Sequence, residues 1–115
     1  MALEKLCKIE DIPENTAKKF IIKDFDLAVF NVEGNFYAID RKCTHMKGNL
    51  AKGLVEGTAV RCPLHGAKFN LKTGELLDQP GTIAGWFKKA KNTTVYKMKV
   101  KNDELYIDLP QPKEK

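Results

Sequence analysis

Both histidines of this 115-residue chain and two of its three cysteines fall between positions 43 and 65. They come as two tight pairs, Cys43-Thr44-His45 and Cys62-Pro63-Leu64-His65, with 16 residues, 46 to 61, between His45 and Cys62. Two thiolates and two imidazoles can hold a transition metal, and each pair is short enough for one loop to present both donors to a single site. Any fold open to this sequence must therefore bring two loops together. Structural zinc sites also use two cysteines and two histidines, but they usually pair cysteine with cysteine and histidine with histidine, at Cys-x2-4-Cys and His-x3-5-His. Here the two types are mixed within each pair. A Cys2His2 zinc protein stays open as an alternative.

The order Cys-x-His, then Cys-Pro-x-His-Gly, with an aromatic residue, Phe69, three positions past Gly66, resembles the two-box signature of the Rieske family. The resemblance implies one 2Fe-2S cluster in which Cys43 and Cys62 hold the inner iron and His45 and His65 the outer, more exposed one. No catalytic residue is implied. It also implies an all-β fold, an antiparallel β-sandwich with a small cluster-binding subdomain inserted at about residues 41–80. The two ligand boxes would sit at hairpin tips, and a third, proline-bearing loop, Asp78-Gln79-Pro80-Gly81, would cover the cluster.

Replacing two thiolates by neutral imidazoles lowers the negative charge around the irons and raises the reduction potential, within a range of about −150 to +300 mV for such centres. High-potential members of the family carry an extra cysteine in each box, forming a disulfide; Gly48 and Leu64 stand at those positions here. They also carry a serine and a tyrosine whose hydroxyls donate to sulfur, where this chain has Ala67 and Phe69. Without those donors the reduced cluster is less stabilised, so a potential at the low end is expected.

The length suits one domain spanning 1–115, with the tail from 110 onwards frayed. At 43% hydrophobic and 30% charged residues, the composition is that of an ordinary globular protein. No apolar run approaches the roughly 20 residues that span a bilayer, and charges interrupt the first ten residues where an export signal would need an apolar block. A cytoplasmic location and no membrane association are expected. Cys7, in a predicted strand, reads as a small buried hydrophobe.

The net charge of +5 is nearly all lysine, with Arg41 and Arg61 the two arginines among 20 basic residues. No basic stretch interleaved with aromatics and no recognition helix accompanies it, which argues against nucleic acid. Arg41, Lys42, Lys47, Lys52 and Lys68 flank the ligands and read as a positive rim that would attract an acidic partner and weaken with salt.

Turn signals recur every 8 to 12 residues, as in all-β chains. Strands are predicted over 3–9, 17–22, 27–32, 36–39, 58–61, 67–70, 95–100 and 105–109. Asp24-Phe25-Asp26, Glu33-Gly34-Asn35 and Asn102-Asp103 are read as turns, and 48–57 as a loop with one helical turn. Residues 81–92, with Trp86 and Phe87 beside three lysines, depart from the pattern of bacterial Rieske ferredoxins. They read as core aromatics beside a basic turn, with a docking patch as the alternative.

Nothing in the chain besides the two boxes supplies a substrate site. A Rieske oxygenase would need a mononuclear iron held by two further histidines and a carboxylate, and no histidine is left over. The reading is a soluble, monomeric one-electron carrier, a ferredoxin passing electrons from a reductase to a terminal acceptor such as an oxygenase. A redox-sensing or small-subunit module of a larger oxidoreductase is the second reading.

Overall fold

Ten strands form among the residues that the computed structural model describes, 2–44, 48–63, 66–78 and 91–109. They are β1 (Ala2–Lys8), β2 (Thr16–Ile22), β3 (Phe25–Val32), β4 (Asn35–Asp40), β5 (Leu54–Glu56), β6 (Ala59–Arg61), β7 (Lys68–Asn70), β8 (Leu76–Asp78), β9 (Val95–Lys101) and β10 (Glu104–Leu109). The helical content among the described residues is two 3-10 turns, Ile9–Asp11 and Leu50–Lys52.

Among the described residues, three two-residue hairpin turns have positive φ at both positions: Lys23-Asp24 at 48° and 71°, Glu33-Gly34 at 53° and 89°, and Asn102-Asp103 at 53° and 62°. That geometry matches the right-handed twist of the flanking strands. It corrects the expected connection at Asp24-Phe25-Asp26, because Phe25 and Asp26 already pair with Ile22 and Ile21. The turn sits on a lysine, which carries no turn signal of its own.

All strand pairs are antiparallel. One sheet runs β1-β10-β9-β4-β3-β2 and the other β5-β6-β7-β8. Since β4 pairs directly with β9, the four-stranded sheet is an insertion between partners in the larger one.

The sheet of β3 is covered on both faces, which is why Leu27 to Val32 reads as a nearly unbroken buried run. Leu27 and Val29 join Ala38, Leu105, Ile107 and Leu109 in a core within the larger sheet. Ala28, Phe30 and Val32 look the other way, onto Leu50, Val60, Phe69 and Leu71 of the insertion. A bulge in β1 between Lys5 and Cys7 sets Cys7 opposite the buried Leu105. Cys7, expected to be buried, is half-buried and packs against the first of these cores, and burial raises its thiol pKa.

Two strands were not legible. The 48–57 stretch contains β5 as well as the 3-10 turn, and β8 lies just before the expected third loop, with Asp78 as its last residue. Three-residue strands are too short for alternation to register. Among the described residues no helix is long and apolar enough to cross a membrane.

Candidate metal centre

Cys43 follows β4 and Cys62 follows β6, and both are buried, at 2% and 3% exposure. They belong to one contiguous apolar cluster with Leu50, Val60, Ala67 and Phe69. The two loops are closed in the same way. The Cys43 N–H donates to the Gly48 carbonyl at 2.8 Å and the Cys62 N–H to the Ala67 carbonyl at 2.7 Å, each spanning five residues. His45 falls within the first span and His65 within the second. Both histidines lie outside the described residues, as do Lys47, Leu64, Gln79, Pro80, Gly81, Trp86 and Phe87.

The first loop is rooted on the larger sheet. The Arg41 N–H donates to the Asp26 carbonyl at 2.9 Å, the Leu50 N–H donates to the Arg41 carbonyl at 2.8 Å, and Lys42 bridges Asn49. The Arg41 guanidinium grips the Asp26 carboxylate with both prongs, Nε to Oδ1 at 2.6 Å and Nη2 to Oδ2 at 2.7 Å. This charged hydrogen bond holds the Asp26 carboxyl below its ordinary value. One residue before Arg41, Asp40 accepts from the Tyr96 hydroxyl of β9 at 2.6 Å. Burial and that bond push the Tyr96 pKa upward.

The second loop continues the β6–β7 ladder past its last pair, Arg61 with Lys68. Gly66, at φ 85°, donates its N–H back to the Cys62 carbonyl at 3.1 Å. Its own carbonyl accepts from Arg61 Nη1 at 2.8 Å. Thr44, beside Cys43, ties the first loop to the chain entering β9: its hydroxyl donates to the Lys91 carbonyl at 2.7 Å and accepts the Lys91 N–H at 2.9 Å.

The expected positive rim is partly neutralised. Arg41 is committed to Asp26, and Lys68 meets Glu56 at 3.0 Å, whereas Lys42 and Lys52 are exposed. The role of the arginines escaped the sequence reading, although a signal was there. In a chain that otherwise uses lysine, Arg41 stands two residues before the first ligand box and Arg61 one residue before the second. Arginine's fork suits multiple fixed hydrogen bonds; lysine's single ammonium does not.

Two buried cysteines on matched, tightly closed loops with an apolar wall fit a group whose sulfur-bound side is kept from water and whose other donors are carried further along the same loops. Ala67 and Phe69, the residues standing where hydroxyl donors would be, are buried at 1% and 0% exposure in the same cluster.

Residues 3–99 match the Rieske 2Fe-2S domain family. The chain belongs to this family and carries one 2Fe-2S cluster of the Rieske type. It is 38% identical over 106 residues, 91% of this chain and 92% of the other, to the ferredoxin subunit of 3-phenylpropionate/cinnamic acid dioxygenase from Shigella boydii serotype 4 (strain Sb227). The Escherichia coli (strain K12) protein of that name matches at the same identity and coverage. Among solved structures, one titled as the complex of reduced oxygenase and oxidised ferredoxin in carbazole 1,9a-dioxygenase is 30% identical, with TM-score 0.77 over 91% of each chain. The Sphingomonas yanoikuyae B1 ferredoxin is 27% identical, with TM-score 0.76 over 95% of this chain and 100% of its own.

Proposed function

We propose that the chain is a soluble, cytoplasmic one-electron carrier whose cluster is held by Cys43 and Cys62 on one iron and by His45 and His65 on the other, within a cluster-binding subdomain at about residues 41–80. It accepts electrons from a reductase and delivers them to an oxygenase. A cluster held by Cys43, His45, Cys62 and His65 would supply one-electron redox chemistry between the reductase and the acceptor.

The observation that carries this reading is the matched closure of the two loops, Cys43 N–H to Gly48 and Cys62 N–H to Ala67. A Cys/His pair lies within each closed span of sequence, so each loop can offer one sulfur and one nitrogen to the same centre. The chain's own part is to hold those loops still and dry. The Arg41–Asp26 fork and the Thr44–Lys91 exchange pin the first loop, and Gly66 and Arg61 pin the second. A rigid, desolvated setting keeps the geometry similar in the two oxidation states, which lowers the reorganisation that accompanies electron transfer. With alanine and phenylalanine at 67 and 69, a potential in the lower part of the roughly −150 to +300 mV range follows, the level of a ferredoxin rather than a quinol oxidant.

The test is spectroscopic. The purified protein should be brown-red, bleach with dithionite, and give in the reduced state a paramagnetic resonance spectrum with the lowered average g value of mixed nitrogen and sulfur ligation. Cys62→Ser and His45→Ala should abolish the colour and Cys7→Ser should keep it. A colourless protein with one tetrahedral metal ion and no acid-labile sulfide would overturn the assignment.

A further inference from the structure

Arg61 ends β6 directly before Cys62, and its guanidinium reaches in two directions at once. Nη1 donates to the Gly66 carbonyl at 2.8 Å and Nη2 donates to Asp78 Oδ2, the last residue of β8, at 3.2 Å. Nη2 also lies 3.7 Å from Glu56 Oε1, which Lys68 meets at 3.0 Å. The two peptide units flanking the Gly66 Cα are thus both held: the Cys62 carbonyl accepts the Gly66 N–H and Arg61 donates to the Gly66 carbonyl.

We infer that Arg61 is a positioning residue for the cluster, fixing the second ligand loop through Gly66 and, by its charge, favouring the reduced state. The inference rests on Cys62 being a ligand, as proposed above. The mechanical part follows from geometry. Gly66 sits at φ 85°, next in sequence to His65, and an N–H aimed at its carbonyl restricts rotation of that peptide. A planar fork can serve Gly66 and Asp78 together; an ammonium on a flexible stem holds both poorly.

The electrostatic part follows from the local inventory. Arg61 and Lys68 face Glu56 and Asp78, so the two charges of each sign balance. Deleting the guanidinium leaves an excess negative charge beside Cys62, and an electron added to the cluster is then repelled. Neutralising Asp78 leaves an excess positive charge and does the reverse.

These opposite signs separate tuning from plain tethering. Arg61→Met and Asp78→Asn break the same salt bridge, so a purely structural tie would move the potential in the same direction in both. Midpoint potentials of the cluster-loaded variants are measured by titration with dithionite as electron donor, at low and high salt, together with the rate of iron loss from the oxidised protein to a chelator. Arg61→Met should lower the potential, Asp78→Asn should raise it, and both shifts should shrink at high salt. Arg61→Lys, which keeps the charge, should stay near the unsubstituted protein in potential but lose iron about tenfold faster, the usual scale for a lost outer-shell contact.

Potentials that shift the same way, or not at all, overturn the tuning role; iron loss at the unsubstituted rate in Arg61→Lys overturns the positioning role. If Arg61→Met fails to assemble, Asp78→Asn decides the charge question alone, and a potential at or below that of the unsubstituted protein refutes it. Failure of the ligand assignment shows differently, as a cluster retained in Cys62→Ser.

Discussion

Arg41 and Asp26 meet through two hydrogen bonds of 2.6 and 2.7 Å at the root of the first ligand loop, and both side chains are partly buried, at 15% and 26% exposure. A pair held like this does more than a mobile surface ion pair, and about 1 kcal/mol is a reasonable contribution. Its pH dependence has a defined sign. The Asp26 carboxyl is depressed below its ordinary 3.8 by the Arg41 hydrogen bond. Its stabilisation is therefore fully present above that value and is lost as the pH falls through the depressed one. Asp26→Asn should lower the melting temperature of the protein at pH 7, and the gap to the unsubstituted protein should close below about pH 3.8, the unperturbed carboxylate value. Melting curves for both proteins across pH 7 to 2 test this; a gap that stays constant into acid would show that the Asp26 charge is not what matters.

The inserted sheet depends on a few backbone contacts where the chain leaves and re-enters it. Gly74 donates its N–H to the Asn70 carbonyl at 2.7 Å and accepts the Thr93 N–H at 2.8 Å. It sits at φ 80°, and a Cβ there would fall on the Thr93 carbonyl oxygen. Gly74→Ala combines an unfavourable backbone conformation with a collision against main chain that cannot swing aside. A loss of more than about 2 kcal/mol is expected. Gly34, at φ 89°, is the control, because nothing lies within 4 Å of the position its Cβ would take. Gly34→Ala should cost only the conformational part, about 1 kcal/mol. Denaturant midpoints of the two variants give the comparison, and equal losses would mean the approach of Thr93 to Gly74 is slack.

Across the molecule, β3 is the wall shared by two cores, and its alternate residues report on different ones. Phe30 is fully buried on the side of the insertion, in the cluster that holds Cys43 and Cys62, whereas Leu27 is fully buried in the core on the opposite face. Phe30→Ala should cost about 3–5 kcal/mol and Leu27→Ala about 2–5 kcal/mol. The losses overlap, but the consequences for the metal centre should not. Well below either melting temperature, Phe30→Ala should release iron to a chelator faster than Leu27→Ala, because only the first removes the packing beneath the cysteines. Equal release rates would mean the ligand loops are held by their hydrogen bonds alone.

Much of this was readable along the chain because it depends on neighbours in sequence. The spacing within Cys43-Thr44-His45 and Cys62-Pro63-Leu64-His65 marked the family, and the alternation in Val95 to Val100 and Leu105 to Leu109 marked the last hairpin, since period-two burial is a local pattern. What folding alone decided involves partners far apart. Leu54–Glu56 and Leu76–Asp78 are strands because β6 and β7 offer ladder edges, and three residues carry no period of their own. In sequence Arg41 read as part of a positive rim, and Arg61 as one of 20 basic residues with no role of its own. They became fixed struts because folding brings Asp26 to within 2.6 Å of one and places the Gly66 carbonyl and Asp78 on either side of the other. A side chain's charge is written in its own residue, but the groups that compensate that charge are chosen by the tertiary structure.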